Sequence, residues 1–136
     1  MQKPTRIIGA AIVVAACAGL WGSEALHAQQ PGFTRKMLQD QNLSVQGRHA
    51  VQVVAEFAPG VAVGKHTHPG EELSYVLEGT LQLEIEGEAP RTLKAGDSFF
   101  VPAGKPHDGK NVSSGTTKVL ATYIVETGKP VATPIK

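Results

Sequence analysis

The sequence predicts an all-β protein built as an antiparallel sandwich or barrel. Seven or eight short segments are rich in β-branched and aromatic residues, and Gly/Pro turns separate them at intervals of about 8–12 residues. No window beyond the N-terminal stretch has the apolar period of an amphipathic helix. The 136 residues suffice for one domain with a modest core.

The elements follow in order along the chain. Residues 29–48 are polar, and we expect an extended arm with a short strand around Met37–Leu43. A barrel is expected over residues 49–128, and residues 129–136, with two prolines, form a loose tail. The strands predicted within the barrel are Val51–Phe57, Val61–His68, Glu72–Leu77, Leu81–Glu86, Arg91–Lys94, Ser98–Val101 and Lys118–Val125.

The first 28 residues have the three-part layout of a secretory signal peptide. Lys3 and Arg6 form a basic head, Ile7–Leu20 is apolar, and Ala25–Ala28 offers a cleavage site. A membrane anchor is the alternative, but the apolar run is shorter than the roughly 20 residues that a spanning helix needs. We therefore expect residues 1–28 to be cleaved and the mature protein to be periplasmic or secreted.

Cys17 is the single cysteine of the chain. The segment Val14–Cys17 loosely resembles a lipoprotein box, so lipidation at Cys17 is a minor alternative, although the apolar run continues through Leu20 and Trp21. After cleavage at Ala28 no cysteine remains, and the fold must be stable without a disulfide.

The charge balance argues against polyanionic partners. The chain has 13 basic and 12 acidic residues, and residues 29–136 carry eleven of each. A neutral protein without a basic stripe has no electrostatic surface for nucleic acid, and it has no polybasic patch for a membrane. The expected partner is a small molecule.

Two histidine-bearing blocks carry the chemistry. In the first, His66 and His68 project from the same face of a strand, and Glu72 follows a Pro-Gly turn, so these side chains can converge on one ion. His107, in the second block, supplies a third imidazole. The first block has the spacing Gly60, five residues, His66, one, His68, three, Glu72, six, Gly79; the second has Gly96, five residues, Pro102, one, Gly104, two, His107, three, Asn111.

These blocks match both motifs of the cupin superfamily, which the chain therefore resembles. The resemblance implies a jelly-roll β-barrel in which His66, His68, Glu72 and His107 bind one divalent transition metal ion. Mn, Fe, Co, Ni, Cu and Zn all suit imidazole and carboxylate ligands. The resemblance also implies a homodimer that exchanges N-terminal strands, for which the arm over residues 29–48 is available.

The site residues leave several functions open. Four protein ligands leave coordination positions for a substrate, so the first hypothesis is a metal-dependent enzyme, a dioxygenase-like oxidoreductase acting on a small organic molecule. A non-catalytic metal- or ligand-binding protein is the second, and a cupin-type isomerase, lyase or decarboxylase is a further alternative. Organic acids, diketones, phenolics and monosaccharide derivatives are the substrate classes that fit. The catalytic residues themselves are not identified.

The pocket around the ion is predicted from the neighbouring strands. Ser74 shares a face with Glu72 and is expected to steady its carboxylate, the alternative being a solvated serine. Of two adjacent residues on a strand only one side chain faces inward, and the sequence does not say which one. Asn111 is expected to tie the loop that presents His107. The pocket candidates are Tyr75 or Val76, Phe99 or Phe100, and Val119 to Tyr123.

Overall fold

The computed structural model describes residues 30–136. The predicted signal peptide and Cys17 lie outside the described residues. The described part contains no helix, and hence none that is long and apolar enough to cross a membrane. Its strands are β1 (Phe33–Asn42), β2 (Arg48–Phe57), β3 (His66–Thr67), β4 (Gly70–Glu78), β5 (Thr80–Ile85), β6 (Arg91–Lys94), β7 (Ser98–Val101), β8 (His107–Asn111), β9 (Thr117–Glu126) and β10 (Thr133–Pro134).

The strands form two five-stranded sheets. One sheet has the order β1-β2-β9-β4-β7, and the other has the order β10-β3-β8-β5-β6. Every pairing is antiparallel. Strands β3 and β4 lie in different sheets, as do β8 and β9, so the chain passes repeatedly between the two layers. The predicted antiparallel jelly-roll fold is confirmed.

The core lies between the inner faces of the two sheets. Strand β9 buries every second residue from Thr117 to Val125, and β5 buries Leu81, Leu83 and Ile85. Because successive side chains of a strand point to opposite faces, these strands give one apolar face to the core and one face to solvent. The unbroken alternation seen in the sequence of β5 corresponds to this division.

Strand β1 is longer than the strand predicted around Met37–Leu43. It begins at Phe33, opposite Phe57, and pairs with β2 as far as Asn42, opposite His49. Only Phe33 of the ten residues is buried, so backbone hydrogen bonds to β2 maintain this strand more than burial of alternate side chains does. Because so few of its side chains are buried, the polar sequence of the arm did not indicate the full length of this strand.

The predicted strand Val61–His68 is wrong over most of its length. Only His66–Thr67 forms a strand, and the residues before it make a loop joined to β8 by a single bridge between Ala62 and Lys110. Gly64 in this loop has φ +91°, a left-handed conformation that favours glycine. The loop turns there, and the Gly64 carbonyl comes back towards the ring of His66.

Asn111 ends β8 and is fully buried, with 0% of its surface exposed. Its Nδ2 donates to the carbonyls of Phe57 and Gly115 at 2.9 and 2.7 Å. Its Oδ1 accepts from the Ser113 amide at 2.8 Å, from the Ser113 hydroxyl at 2.7 Å and from the Thr117 hydroxyl at 2.8 Å. The side chain therefore ties the turn between β8 and β9 to the end of β2.

Replacing Asn111 with Ala will lower the free energy of unfolding by roughly 2–4 kcal/mol, since the Phe57 carbonyl and the Ser113 amide lose their buried partner. Urea denaturation of the metal-free protein measures the change. The matched control is Asn42→Ala, at an exposed asparagine at the end of β1. Equal stability of the two variants would show that the network contributes nothing to the fold.

Candidate metal centre

Two strands of one sheet and one strand of the other bring the four predicted ligands together. His66 on β3 lies directly opposite His107 on β8. His68 follows β3, and Glu72 projects from β4 in the facing sheet. The ligand nitrogens of the three histidines all lie within 4.8 Å of one another, and all three side chains are buried. The structure thus brings the three imidazoles together, and the Glu72 carboxylate reaches two of them, those of His68 and His107.

Each imidazole is oriented by a backbone carbonyl. A carbonyl oxygen only accepts, so the Nδ1 beside it must carry the proton and Nε2 keeps its lone pair. The three Nε2 atoms are thereby prepared as ligands. The accepting carbonyls are those of Gly64 for His66 at 2.7 Å, Val131 for His68 at 2.5 Å and Lys105 for His107 at 2.9 Å.

Glu72 supplies the negative charge of the site. Its Oε2 lies 3.0 Å from His68 Nε2 and 3.2 Å from His107 Nε2, and its Oε1 accepts from the Ser74 hydroxyl at 2.6 Å. Burial raises the pKa of Glu72. The His107 and His68 side chains and the Ser74 hydroxyl lower this pKa by a larger amount, so it lies well below its usual range. The carboxylate is ionised at neutral pH.

His66 stays neutral for a different reason. Burial and the neighbouring His107 lower the pKa of His66 to about 3, although the hydrogen bond to the Gly64 carbonyl acts in the opposite direction. A neutral imidazole with Nδ1 protonated presents an Nε2 lone pair to the centre of the cluster. His66 is therefore in the protonation state that a metal ion requires.

The cluster of three imidazoles and the Glu72 carboxylate lacks a positive charge to balance its lone pairs. His68 Nε2 is buried without an assigned hydrogen-bond partner, and Glu72 Oε2 lies 3.0 Å away. Lone pairs facing one another in a buried space repel unless a proton or a cation lies between them. Imidazole nitrogen with carboxylate oxygen is a combination that divalent transition metals prefer. The residues present fit such an ion.

A small apolar cavity adjoins the cluster. Its volume is about 40 Å³, and His66, Glu72 and His107 form part of its wall. Most of the remaining wall is aliphatic or aromatic, and one charged side chain that the sequence did not suggest, Arg35 on β1, also lines it. The apolar lining includes Phe33, Phe57, Leu83, Phe99, Val119 and Tyr123.

The structure separates the pocket candidates by face. Phe99 and Tyr123 are buried and line the cavity, and the Tyr123 ring lies 4.5 Å from the His68 ring. Tyr75 and Phe100 were also expected at the pocket, and this is corrected: they are 45% and 50% exposed on the outer face of the sheet. Strand alternation sets the division, because Glu72, Ser74 and Val76 face inward on β4 and the residues between them face outward.

The remaining candidates have supporting positions. Ser74 contacts Glu72 directly, whereas Asn111 is absent from the cavity wall and belongs to the turn network. Burial and the charge of Glu72 raise the pKa of Tyr123, and the nearby Arg35 opposes this, so the phenol stays protonated.

Sequence reasoning missed several contributors, among them Phe33 and Arg35 on β1 and the Val131 carbonyl in the tail. Phe33 and Arg35 are two residues apart and share a face of β1. The same alternation rule would have found them had the strand been placed at Phe33.

A small antiparallel barrel with three imidazoles and a carboxylate beside an apolar cavity has residues that fit a metal site. Residues 53–123, more than half of the chain, match the family model described as Cupin domain. The chain belongs to the cupin family.

Relatives at the sequence level differ in function. The chain is 30% identical to the HTH-type transcriptional regulator PuuR of Escherichia coli (strain K12) over 93 residues. This aligned stretch covers 68% of this chain and 48% of PuuR. It is 45% identical to the dimethylsulfoniopropionate lyase DddQ of Ruegeria pomeroyi over 42 residues. This shorter stretch covers 31% of this chain and 21% of DddQ. The chain thus spans about half the length of PuuR and about a fifth of DddQ.

Solved structures show the same fold. The crystal structure of DddQ from Ruegeria pomeroyi DSS-3 superposes with a TM-score of 0.62 at 23% identity, covering 75% of this chain and 51% of that chain. An oxalate oxidase in complex with the substrate analogue glycolate superposes with a TM-score of 0.62 at 20% identity, covering 79% of this chain and 57% of that chain. At these identities the likeness concerns the fold alone.

Replacing His66 with Ala will reduce the bound transition metal from roughly one ion per chain to a small fraction of that, because the site loses one of its three imidazoles. Mass spectrometry of the metal content, after equilibration with zinc and dialysis, measures the loss. His49→Ala is the matched control, since His49 lies on β2 outside the cluster and its Nε2 is 3.9 Å from Asp40. Equal metal content in the two variants would place the bound ion elsewhere.

Proposed function

We propose that this chain is a metal-dependent enzyme acting on a small organic substrate, with oxygenase-type oxidoreductase chemistry as its first candidate activity. The observation that carries the proposal is the convergence of three oriented imidazoles and the ionised Glu72 at the wall of an apolar cavity. A group of ligands buried only to stabilise the barrel has no need of such a cavity.

The residues of the chain have separate roles in this proposal. His66, His68, His107 and Glu72 hold the ion, and Ser74 fixes one carboxylate oxygen of Glu72. A divalent ion held there supplies Lewis acidity and, if it is Mn, Fe, Co or Cu, redox chemistry. The apolar wall excludes water, so the charges of the site act in surroundings of low dielectric constant.

The cavity favours a small substrate. A volume of about 40 Å³ has room for only about three water-sized groups. Small organic acids and diketones fit such a space better than phenolics or monosaccharide derivatives do.

A lyase is the second candidate function. The specific support is the 45% identity over 42 residues with the dimethylsulfoniopropionate lyase DddQ. A lyase splits its substrate without consuming O₂, whereas an oxygenase requires it. Oxygen dependence therefore separates the two candidates, and a non-catalytic binding protein would show turnover in neither condition.

Regulation of transcription is less well supported than catalysis. PuuR is named as an HTH-type regulator, but the chain covers about half of it, and residues 30–136 contain no helix. No basic stripe for nucleic acid was found in the sequence either. We further propose, from the pattern of residues 1–28, that the protein acts in the periplasm or is secreted, and from the family resemblance that it forms a homodimer.

Protein loaded separately with iron, manganese, copper, nickel, cobalt and zinc will convert at least one member of a panel of small carboxylic acids and diketones. Oxygen uptake and product analysis by mass spectrometry, in air and under nitrogen, report the reaction type. The His107→Ala variant will lose at least about a hundredfold in rate, and His49→Ala will not. Absence of turnover with every metal in both atmospheres would contradict the proposal and favour a binding protein.

A further inference from the structure

We propose that Arg35 is the anion-binding residue of the cavity and that the natural ligand carries a carboxylate group. This rests on the proposed function and specifies its substrate class. Arg35 lies on β1 in register with Ala55, and both residues line the cavity that contains His66 and Glu72. The guanidinium carbon is 4.7 Å from the centre of the Phe33 ring, which gives the cation a fixed place at the wall.

The charge of Arg35 is not neutralised within the described part of the chain. No carboxylate between residues 30 and 136 lies within 4.0 Å of its guanidinium, whereas Arg48, Lys65, Lys118 and Lys129 each pair with a glutamate. The carboxylate of the cavity, Glu72, is already engaged by two histidines and Ser74. The Arg35 guanidinium contacts the Tyr123 hydroxyl. A guanidinium has five N–H donors, so those not engaged with Tyr123 are available for a ligand.

The local chemistry selects a small carboxylate rather than a neutral molecule. A guanidinium presents parallel N–H donors that match the two oxygens of a carboxylate, and apolar surroundings strengthen the interaction. Glu72 cancels only part of the charge of a divalent ion, so the loaded cavity is positive overall. A small acid in this cavity would meet three of the residues that would hold the ion as well as the Arg35 guanidinium, because all four line it.

The position of Arg35 in the fold supports a role in specificity. The family match covers residues 53–123, and β1 lies before it. The predicted metal ligands therefore lie within the residues matched by the family model, and Arg35 lies outside them on the edge strand β1. Arg35 is only partly buried, so it meets solvent as well as the cavity and is accessible to an incoming anion.

The test is calorimetric titration of zinc-loaded and metal-free protein with glycolate and with glycolamide, which has nearly the same shape but no charge. The wild type will bind glycolate more tightly than glycolamide. In Arg35→Gln the affinity for glycolate will fall at least about tenfold, while that for glycolamide and the zinc content stay unchanged. Arg35→Lys will recover part of the loss, because it keeps the charge but not the forked donors.

Lys36→Gln is the control, since it removes a positive charge from the adjacent, exposed position of β1. The inference is overturned if Arg35→Gln binds glycolate as tightly as the wild type does, if Lys36→Gln weakens binding equally, or if the wild type does not prefer glycolate. Failure of the proposed function is a separate result. Metal-free protein that selects glycolate through Arg35 supports the inference even where no turnover is found.

Discussion

The hydrogen bonds from the three imidazoles to backbone carbonyls are the constraint on which the site depends. Each fixes a proton on Nδ1 and leaves Nε2 as a ligand. The carbonyls belong to Gly64, Lys105 and Val131, which lie in the loop before β3, the loop before β8 and the C-terminal tail. The tail is therefore part of the site, and β10 holds it in place by pairing with β3. Backbone segments remote in sequence thus orient ligands that side-chain packing alone would leave free to rotate.

Burial makes this arrangement electrostatically demanding. An ionised carboxylate and three imidazole rings are crowded into a space that excludes water, and the buried His68 Nε2 has no hydrogen-bond partner. A cation at the centre removes the repulsion between the lone pairs. The same apolar surroundings increase the effect of any charge at the cavity wall, and for this reason an arginine on an edge strand bears on ligand choice.

The sequence was sufficient for the fold class, and the three motif histidines that it singled out lie together in the structure. Regular alternation identified β5, and motif spacing selected Glu72 over Glu71, which instead lies on the opposite face, 3.9 Å from Arg48. The same reasoning could not decide which residue of an adjacent apolar pair faces inward. Both Phe99 and Phe100 suit a strand, and only the pairing of Phe99 with Ser74 across β7 and β4 shows which one faces inward.

Other parts of the site carry no local signal. Strand β1 is maintained by pairing with β2 and the tail by contacts with β3 and His68, and these are long-range interactions that a polar or proline-containing sequence does not reveal. Arg35 and the Val131 carbonyl were missed for this reason.

The central claim is that the three Nε2 atoms and Glu72 share one ion. Anomalous diffraction from crystals of the zinc-loaded protein, recorded on both sides of the zinc absorption edge, tests it most directly. We expect one strong peak at roughly 2.0–2.2 Å from Nε2 of His66, His68 and His107 and from a carboxylate oxygen of Glu72. A peak bound through Nδ1, or an ion located away from these four side chains, would contradict it.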